Sequence, residues 1–303
     1  MNGALIIDKP AGLTSHDVVN RARRILQQRS IGHLGTLDPM ATGVLPLVTG
    51  SLTRLAQFYT ASEKSYEGTI RFGFATDTYD AEGEPTTVAQ CVTLRSEDVE
   101  AVARRFRGTI EQIPPPFSAK KIHGIPAYKL ARQQKEVVLK PVQVEIKEFE
   151  ILGVEGDRAR FRARVASGTY MRSVAHEMGQ AFACGAHLES LRRTSVAEFS
   201  LEDAHTLEQV AEATKDPYLL EDLFVHPRKL LPQIPSVTAD EPTTNRIRSG
   251  GTVNLPELSR ARQVKVFAGQ KELIAIATRV AGTLFHPKIV LTSPPASDSM
   301  KRK

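Results

Sequence analysis

The chain has 303 residues, 41% of them hydrophobic, and its 40 basic and 34 acidic residues give a net charge of +6. This length predicts two domains, or one large domain with an appendage, and enough apolar residues for a sizeable core. No apolar run reaches membrane-spanning length and the N-terminus lacks a signal-peptide pattern, so we expect a soluble cytoplasmic protein without membrane association. Cys91 and Cys184 form no CxxC or Cys/His cluster, which argues against structural zinc and a disulfide framework.

Positive charge is concentrated in two stretches. Residues 112–140 contain six Lys or Arg and one acidic residue, and residues 235–292 contain eight basic and four acidic residues. Residues 201–225, by contrast, contain seven acidic residues and one Lys. This distribution predicts that a polyanion is held at two places on the protein.

The first predicted elements are a strand and an amphipathic helix. Residues 4–7 are apolar and predict a short strand that ends before Pro10. Ser15 is expected to cap a helix with an apolar stripe, and this helix ends before Gly32.

The run from Gly32 to Pro46 is the most unusual stretch of the sequence. Pro39 fixes its own φ and keeps Asp38 away from helical geometry, so this carboxylate is expected on a stiff loop. His33 is the other titratable group of the run. A carboxylate between glycines and apolar residues is partly desolvated, which raises its nucleophilicity. A helix cap or an Asx turn is the alternative for an isolated Asp-Pro, but the whole run favours a catalytic carboxylate.

After a predicted helix over 51–59, residues 64–74 alternate between apolar and polar and predict a half-buried strand. Tyr66 lies near its start, where a ring can project into a cleft, although a core Tyr with a solvated hydroxyl is the alternative. The acidic turn at 76–84 lacks the full calcium-loop pattern, so no metal is predicted there. Ser96 is expected to cap a helix that runs to Arg107.

A proline-rich basic segment follows. Residues 113–126 contain four prolines around Lys120 and Lys121, and residues 127–135 predict a short basic helix. We interpret residues 112–140 as an arm that is mobile when unbound and whose charges contact phosphates rather than read bases. A solvated loop is the alternative.

Two alternating stretches, residues 142–152 and 158–165, predict a hairpin that leads into a helix ending at Ala183. Arg172 falls in the first turn of that helix, where the helix dipole disfavours a cation. It therefore needs a compensating anion, for which Glu177, a phosphate and Asp38 are the candidates.

The remaining elements are predicted from periodicity and composition. They are strands over 188–199, an acidic solvated helix over 201–213, a proline-punctuated linker over 227–235, short strands of a small β barrel at 247–251, 264–268, 271–277 and 286–291, and a disordered polar tail over 293–303.

Five motifs occur in the order typical of the TruB family of tRNA pseudouridine synthases, which the sequence closely resembles from residue 3 to residue 200. They are Asp8–Ser15, the G-T-L-D-P run around Asp38, Lys64–Gly68, residues 114–132 and Gly168–Ser173. The sequence departs from the family pattern at Met40, where Leu is usual, and at Ala197-Glu198, where Gly-Pro is usual.

The resemblance implies roles for individual residues. Asp38 would be catalytic, Arg172 would pair with it, and Tyr66 would stack on the target base. The residues implied to bind RNA are His33, Lys9, Lys120, Lys121, Tyr128, Arg132 and Leu191.

The resemblance also implies the reaction, which is isomerisation of one uridine to pseudouridine in the T arm of tRNA, conventionally at position 55, without cofactor or metal. Asp38 would act as nucleophile at C1′ or as base at C2′, and Tyr66 or a water would remove the C5 proton. Two other functions remain open: a tRNA-binding folding factor with incidental isomerase activity, and a guide-RNA-dependent synthase. The arm at 112–140 favours a stand-alone monomer that needs no protein partner.

The expected fold is α+β, a pseudouridine-synthase fold with a mixed, largely antiparallel central sheet flanked by helices. Residues 1–232 would form the catalytic domain with the RNA-gripping insertion 112–140. Residues 233–292 would form a PUA-like RNA-binding domain, a small β barrel, followed by the tail at 293–303.

Overall fold

The structure is a computed structural model that describes residues 1–118, 120–122, 124–133, 139–258 and 260–291. The tail predicted to be disordered, residues 293–303, lies outside this described part. None of the helices within these ranges is long and apolar enough to cross a membrane.

All strands in the described part of the chain except β6–β7 belong to one of two larger sheets. They are β1 (Gly3–Lys9), β2 (Ile31–His33), β3 (Thr42–Thr49), β4 (Lys64–Phe72), β5 (Gly108–Gln112), β6 (Lys121–Ile122), β7 (Ile125–Pro126), β8 (Val142–Glu155), β9 (Arg158–Val165), β10 (Ala186–Val196), β11 (Phe199–Ser200), β12 (Ala204–His205), β13 (Phe224–Val225), β14 (Ser236–Ala239), β15 (Val253–Asn254), β16 (Gln263–Ala268), β17 (Glu272–Ala281) and β18 (Leu284–Val290).

The helices are short. The α-helices are α1 (Ser15–Ile25), α2 (Ala56–Tyr59), α3 (Ser96–Arg104), α4 (Ala127–Arg132), α5 (Met171–Ala181), α6 (Leu207–Ala213), α7 (Pro217–Asp222) and α8 (Glu241–Arg248), and 3₁₀ turns cover Gly50–Leu55, Leu201–Asp203, Pro227–Lys229 and Pro256–Leu258.

The large sheet is mixed and mostly antiparallel, which confirms the predicted α+β class. Its strands follow the order β12-β1-β3-β10-β4-β9-β8-β5, and β2, β11 and β13 pair at its margins. The predicted hairpin is present as β8–β9, and the alternating stretch around Tyr66 is β4, paired with β9 and β10. Helices α3 and α5 pack on the β4–β9–β8 part through one apolar cluster, and α1 packs on β1 and β3 through another.

The middle of the sheet is formed where β3 and β10 run parallel. They pair through only two residue pairs, Thr42 with Arg192 and Gly43 with Arg193. Gly43 has a φ of +100°, and a Cβ there would lie 2.2 Å from the Arg193 carbonyl oxygen, so this close approach requires glycine. The chain enters β3 at this point from the loop that carries Asp38, which places that carboxylate above the centre of the sheet.

The C-terminal part contains a five-stranded sheet in the order β14-β16-β17-β18-β15, with α8 packed against it. This sheet corresponds to the predicted small β barrel. It shares an apolar cluster with the large sheet, in which Leu52 and Tyr59 pack together with Phe267 and Ile276. The predicted domain boundary after residue 232 stays a prediction.

Two predicted helix starts were wrong by one residue. The N-cap of α1 is Thr14, which accepts a hydrogen bond from the Asp17 N–H, because a capping box with Asp17 outcompetes the next hydroxyl at Ser15. The N-cap of α3 is Arg95 without a side-chain cap, and α3 ends at Arg104 rather than at 107.

Three predicted elements near the ends of the two sheets also differ. The helix predicted over 51–59 begins as a 3₁₀ turn, and only residues 207–213 of the stretch 201–213 are α-helical. The strand predicted at 247–251 is instead the end of α8. This helix begins where Asp240 caps it, accepting from the Thr243 N–H, with a proline in the first turn, a start signal that the prediction of strands overlooked.

The contact between the two sheets includes one buried hydrogen-bond relay. The Tyr59 hydroxyl donates to Glu198 Oε1 at 2.6 Å, and the same oxygen accepts from the Leu231 N–H at 2.8 Å. Tyr59 is 3% exposed, so its hydroxyl has little access to water. The relay connects α2, the turn after β10 and the segment that leads to the C-terminal sheet.

We predict that Tyr59→Phe lowers the free energy of unfolding by about 1–2 kcal/mol, because it removes the hydroxyl donor and keeps the ring. Urea unfolding measures this difference. Tyr218→Phe, at a position that is 82% exposed, is the matched control and should change stability little. Equal effects of the two substitutions would contradict the prediction.

Candidate active site

Asp38 lies in the loop between β2 and β3, residues 34–41, which we call the Asp38 loop. The Ala41 N–H donates to the Asp38 carbonyl oxygen at 3.2 Å and closes a turn. The Asp38 side chain is 31% exposed, so it faces both the protein and the solvent. On the protein side, Arg172 Nε lies 2.9 Å from Oδ2 and Nη2 donates to Oδ1 at 3.1 Å. This two-point contact fixes the orientation of the carboxylate.

Arg172 comes from the first turn of α5, and its side chain is only 6% exposed. Nη1 donates to the Thr78 carbonyl at 3.1 Å, and Nη2 donates to the Phe117 carbonyl at 3.0 Å. A second carboxylate, Asp80, places Oδ2 3.5 Å from Nη1. The sequence required an anion at this helix start, and the structure provides Asp38 and Asp80 together. A buried guanidinium needs such partners to offset its lost hydration.

Sequence reasoning missed Asp80, whose side chain is 4% exposed. Its Oδ1 accepts from the Thr78 hydroxyl at 2.6 Å and from the Glu82 N–H at 3.1 Å. The acidic turn at 76–84 therefore directs one carboxylate towards Arg172. The available signal was the T-x-D spacing, because a hydroxyl or amide two residues away can lock an Asp in a turn.

Lys9, which the resemblance suggests as an RNA contact, is completely buried. Its ammonium donates to the carbonyls of Pro10 at 2.8 Å, Leu13 at 2.7 Å and Pro39 at 3.0 Å. An ammonium has three N–H donors, so none is left for a phosphate. The expectation is corrected: Lys9 holds the residue that follows Asp38 and does not reach the surface.

Two more contacts join the N-terminal segment to the Asp38 loop. The Gly12 N–H donates to the Pro39 carbonyl at 2.9 Å. The Ser15 hydroxyl, which does not cap α1, donates to the Leu37 carbonyl at 3.1 Å and accepts from the Leu37 N–H at 2.8 Å. These bonds place the segment 8–15 beside the loop.

Arg193 is a second residue that sequence reasoning missed. It is fully buried in β10, and its guanidinium donates to the carbonyls of Val44 at 2.8 Å, Thr36 at 3.0 Å and Gly35 at 3.1 Å. Its charge also lies close enough to the Tyr66 hydroxyl to lower the pKa of that phenol. Arg193 thus supports the Asp38 loop from below and links it to β4. Arg193 lies in the sequence Leu-Arg-Arg-Thr, and this sequence does not indicate whether Arg192 or Arg193 points inward.

Tyr66 is 8% exposed and packs in one apolar cluster with Leu37 and Leu191, which is 7% exposed. Burial raises the pKa of the Tyr66 hydroxyl, and the Arg193 guanidinium opposes this effect only in part. The phenol is therefore protonated at neutral pH. Together these side chains give an apolar wall beside Asp38 that suits a flat ring.

His33 lies in β2 and is half-buried. Its Nδ1 accepts from the Gly35 N–H at 3.3 Å, which assigns the ring proton to Nε2. Burial, and then the nearby Arg193 guanidinium, lower the pKa of His33, so the imidazole is neutral at pH 7. A neutral ring at this position is suited to fill space or to hydrogen-bond, and not to pair with a phosphate.

The base of the arm at 112–140 is tied to the helix that carries Arg172. Gln112 is buried; its side chain donates to the Tyr170 carbonyl at 3.1 Å and accepts from the Tyr170 N–H at 2.8 Å. The Ser173 hydroxyl donates to the Ile113 carbonyl at 2.7 Å. These bonds tie the base of the arm to the N-terminus of α5.

Beyond this base, the backbone forms the hairpin β6–β7 and α4, which ends at Arg132 and not at 135 as predicted. Lys120 is exposed. The side chains of Lys121, Tyr128 and Arg132, and residues 134–138, lie outside the described part of the structure. The predicted mobility of the arm stays a prediction. No group of three or more His, Cys, Asp or Glu in the described ranges is arranged to hold a metal ion.

The site geometry is accompanied by clear similarities to known proteins. The family model for the TruB family pseudouridylate synthase N-terminal domain matches residues 23–171, and that for the tRNA pseudouridylate synthase B C-terminal domain matches residues 172–227. Asp38 and Tyr66 fall in the first match, and Arg172 opens the second.

Two relatives named tRNA pseudouridine synthase B are similar over their whole length. The Solibacter usitatus protein is 49% identical over 96% of this chain and 100% of its own, and the Aquifex aeolicus protein is 38% identical over the same shares. Among solved structures, an H/ACA RNP bound to a substrate RNA and a Cbf5-Nop10-Gar1 complex each have a TM-score of 0.71. They are 22% and 24% identical and cover 96% of this chain and 85% of theirs, which shows a common fold.

We predict that Lys9 titrates far below an ordinary lysine. Burial lowers its pKa from 10.5 to about 8, so the ammonium persists below pH 8 and the neutral amine dominates above it. A neutral amine has two N–H groups for three carbonyls, so the Asp38 loop should loosen as the pH rises through about 8. Lysine side-chain NMR measures the titration, and the Pro39–Ala41 shifts should follow it.

Lys9→Met is the control, because it removes this titration and leaves that of the other lysines. A Lys9 signal that titrates near 10.5, or loop shifts that are independent of the Lys9 midpoint, would contradict the prediction.

Proposed function

Since the chain belongs to the TruB family and isomerises uridine to pseudouridine in tRNA, we propose that Asp38 is the catalytic carboxylate and that the target is the uridine at position 55 in the T arm. The observation that carries the proposal is the buried Arg172 guanidinium, which faces Asp38 through two nitrogens while the other side of the carboxylate is open to solvent. That open side is where a ribose can approach.

The isomerisation needs no external reactant. The C1′–N1 bond of the target uridine breaks, the base rotates, and a C1′–C5 bond forms; C5 loses a proton and N1 gains one. Asp38 acts on the ribose, either as nucleophile at C1′ or as base at C2′. Arg172 balances the charge of Asp38 and aims its oxygens in both routes.

The apolar wall around Tyr66 supports binding of a flipped base. Unstacking a base from folded RNA costs a few kcal/mol, and stacking on an aromatic ring returns about 1–3 kcal/mol. Because burial raises the pKa of Tyr66, the protonated phenol is a weak base, which favours a water as acceptor of the C5 proton. His33, neutral at pH 7, would fill the gap left in the RNA.

The arm at 112–140 is proposed to hold the RNA backbone through Lys120, Lys121, Tyr128 and Arg132. Its connection to α5 through Gln112 supports this, because closure of the arm on RNA would then act on Arg172. The three proposed catalytic side chains come from one chain, which supports a monomeric enzyme without a protein partner. A catalytic domain over 1–232, a PUA-like domain over 233–292 and a cytoplasmic location complete the proposal.

We predict that Asp38→Asn abolishes pseudouridine formation, because the amide is nearly isosteric but provides neither a nucleophile nor a base. Mapping of pseudouridine in tRNA after incubation with the purified variant measures the product, and filter binding measures the affinity for tRNA. Product at position 55 from the unaltered enzyme is the positive control. Appreciable product from Asp38→Asn would exclude the proposed role, and lost tRNA binding would indicate a structural defect instead.

We predict that Asp80→Asn lowers kcat about 10- to 100-fold with little change in KM, because Arg172 loses its second carboxylate and Asp38 is then aimed less well. Single-turnover kinetics on tRNA measure the effect. Asp77→Asn, in the same turn but exposed, is the matched control. An unchanged single-turnover rate for Asp80→Asn would show that the second carboxylate does not position the site.

A further inference from the structure

A pair of stacked rings joins the acidic turn at 76–84 to the helix that carries Arg172. The ring of Tyr79, in the turn, lies nearly parallel to the ring of His176, in α5, with a centroid distance of 3.8 Å and an angle of 9° between the ring planes. His176 lies about one helical turn after Arg172, so the two side chains share one side of α5. The stack is therefore a direct contact between the turn and the Arg172 side of the helix.

Tyr79 lies between two residues of the turn that contact Arg172. The Thr78 carbonyl accepts from Arg172 Nη1 at 3.1 Å, and Asp80 Oδ2 lies 3.5 Å from the same nitrogen. The Tyr79 carbonyl accepts from the Leu188 N–H at 2.9 Å, which attaches this part of the turn to β10. A shift of Tyr79 would therefore move both acceptors of the guanidinium at once.

The backbone of Tyr79 has a φ of +64°, in the left-handed region. Residues with a Cβ rarely adopt this conformation, and a bulky residue stays there only where its surroundings hold it. At Tyr79 the Leu188 N–H holds the main chain, and the stack on His176 holds the side chain. In this conformation the carbonyl before Tyr79 and the carboxylate after it converge on one nitrogen of Arg172.

His176 contributes the face of its ring to this contact, and its polar atoms are poorly used. Its Nε2 lies 3.1 Å from the Gln180 amide nitrogen, so Nε2 is the acceptor and the ring proton is assigned to Nδ1. Nδ1 is buried and has no hydrogen-bond partner in the described part of the chain. The hydrogen bonds of the imidazole therefore do not explain its position, whereas the stack does.

Both rings of the stack are uncharged at pH 7. Burial lowers the pKa of His176. Burial, and then the nearby Glu177 carboxylate, raise the pKa of the Tyr79 hydroxyl. A stack of two neutral rings depends on flat apolar surfaces, which phenylalanine supplies as well.

We propose that Tyr79 and His176 are positioning residues for the isomerisation and that their stack keeps the acidic turn in contact with Arg172. Arg172 in turn aims the Asp38 carboxylate, so loss of the stack would let the guanidinium shift while Asp38 keeps its charge. The proposal rests on the proposed function, since it takes Asp38 as the catalytic carboxylate. The stack acts on the rate of the chemical step and not on the affinity for tRNA.

The first test replaces His176 with Ala, which removes the stack, and with Phe, which keeps a ring there. Single-turnover kinetics on tRNA should give a rate on the order of tenfold lower for His176→Ala, and His176→Phe should recover most of this loss. Filter binding should give the same tRNA affinity for both variants. The Arg172 Nε–Hε NMR signal should shift in His176→Ala and stay close to its original position in His176→Phe, which a general loss of stability would not produce.

The second test changes the other ring. Asn adopts a positive φ more readily than Tyr, so Tyr79→Asn removes the stack and also relieves the backbone. This variant should stay folded even if His176→Ala does not, and its rate should fall on the order of tenfold as well. The double variant Tyr79→Asn/His176→Ala should be no slower than either single variant, because the two substitutions remove one shared interaction.

Tyr59→Phe is the control for a loss of stability, because Tyr59 packs in the apolar cluster between the two sheets. Its single-turnover rate should match that of the unaltered enzyme. Unchanged rates in His176→Ala and Tyr79→Asn would overturn the positioning role. A loss in His176→Ala that Phe does not recover, or additive losses in the double variant, would overturn it too.

Asp38→Asn is measured in the same assay to separate this role from the proposed function. Product from Asp38→Asn would overturn the proposed function. An inactive Asp38→Asn beside unchanged rates in the ring variants would overturn only the positioning role of the stack.

Discussion

The buried ion pair between Arg172 and Asp38 is the interaction on which the site depends. A guanidinium that is only 6% exposed must be surrounded by acceptors, because its lost hydration is otherwise uncompensated. Asp38, Asp80 and the carbonyls of Thr78 and Phe117 supply them. These groups come from three separate loops, so one side chain holds the Asp38 loop, the acidic turn and the arm in a single arrangement.

The Asp38 loop is also held by two cations that bind backbone rather than carboxylates. Lys9 donates to three carbonyls, one of them in the loop, and Arg193 donates to Gly35 and Thr36. Carbonyl dipoles stabilise a buried cation without placing a second full negative charge near it. Lys9 and Arg193 thus fix the backbone of the Asp38 loop without using the Asp38 carboxylate, which stays partly exposed to solvent.

Sequence reasoning was strongest where a residue type had a local physical requirement. Arg172 was recognised because a cation at a helix start needs an anion, and alternation correctly predicted β4 and the β8–β9 hairpin. The long motifs also led to the correct family.

The failures have physical causes as well. Lys9 was assigned to RNA from the resemblance alone, whereas its three carbonyl partners are set by the tertiary fold. Asp80 and Arg193 were missed because their partners lie roughly 90 and 150 residues away along the chain. Helix α8 was missed because the spacing of apolar residues was weighed above the Asp-Glu-Pro start signal.

The narrow pairing of β3 with β10 divides the sheet into two plates joined at one seam. Asp38 and Lys9 belong to the plate built on β1 and β3, while Tyr66 and Arg193 belong to the plate built on β10 and β4, on which α5 carries Arg172. Side-chain bonds cross this narrow pairing, since Arg192 of β10 reaches Asp8 of β1 and Arg193 reaches Gly35, Thr36 and Val44. Two adjacent arginines of one strand therefore compensate for the missing backbone ladder and keep the acid and its guanidinium in register.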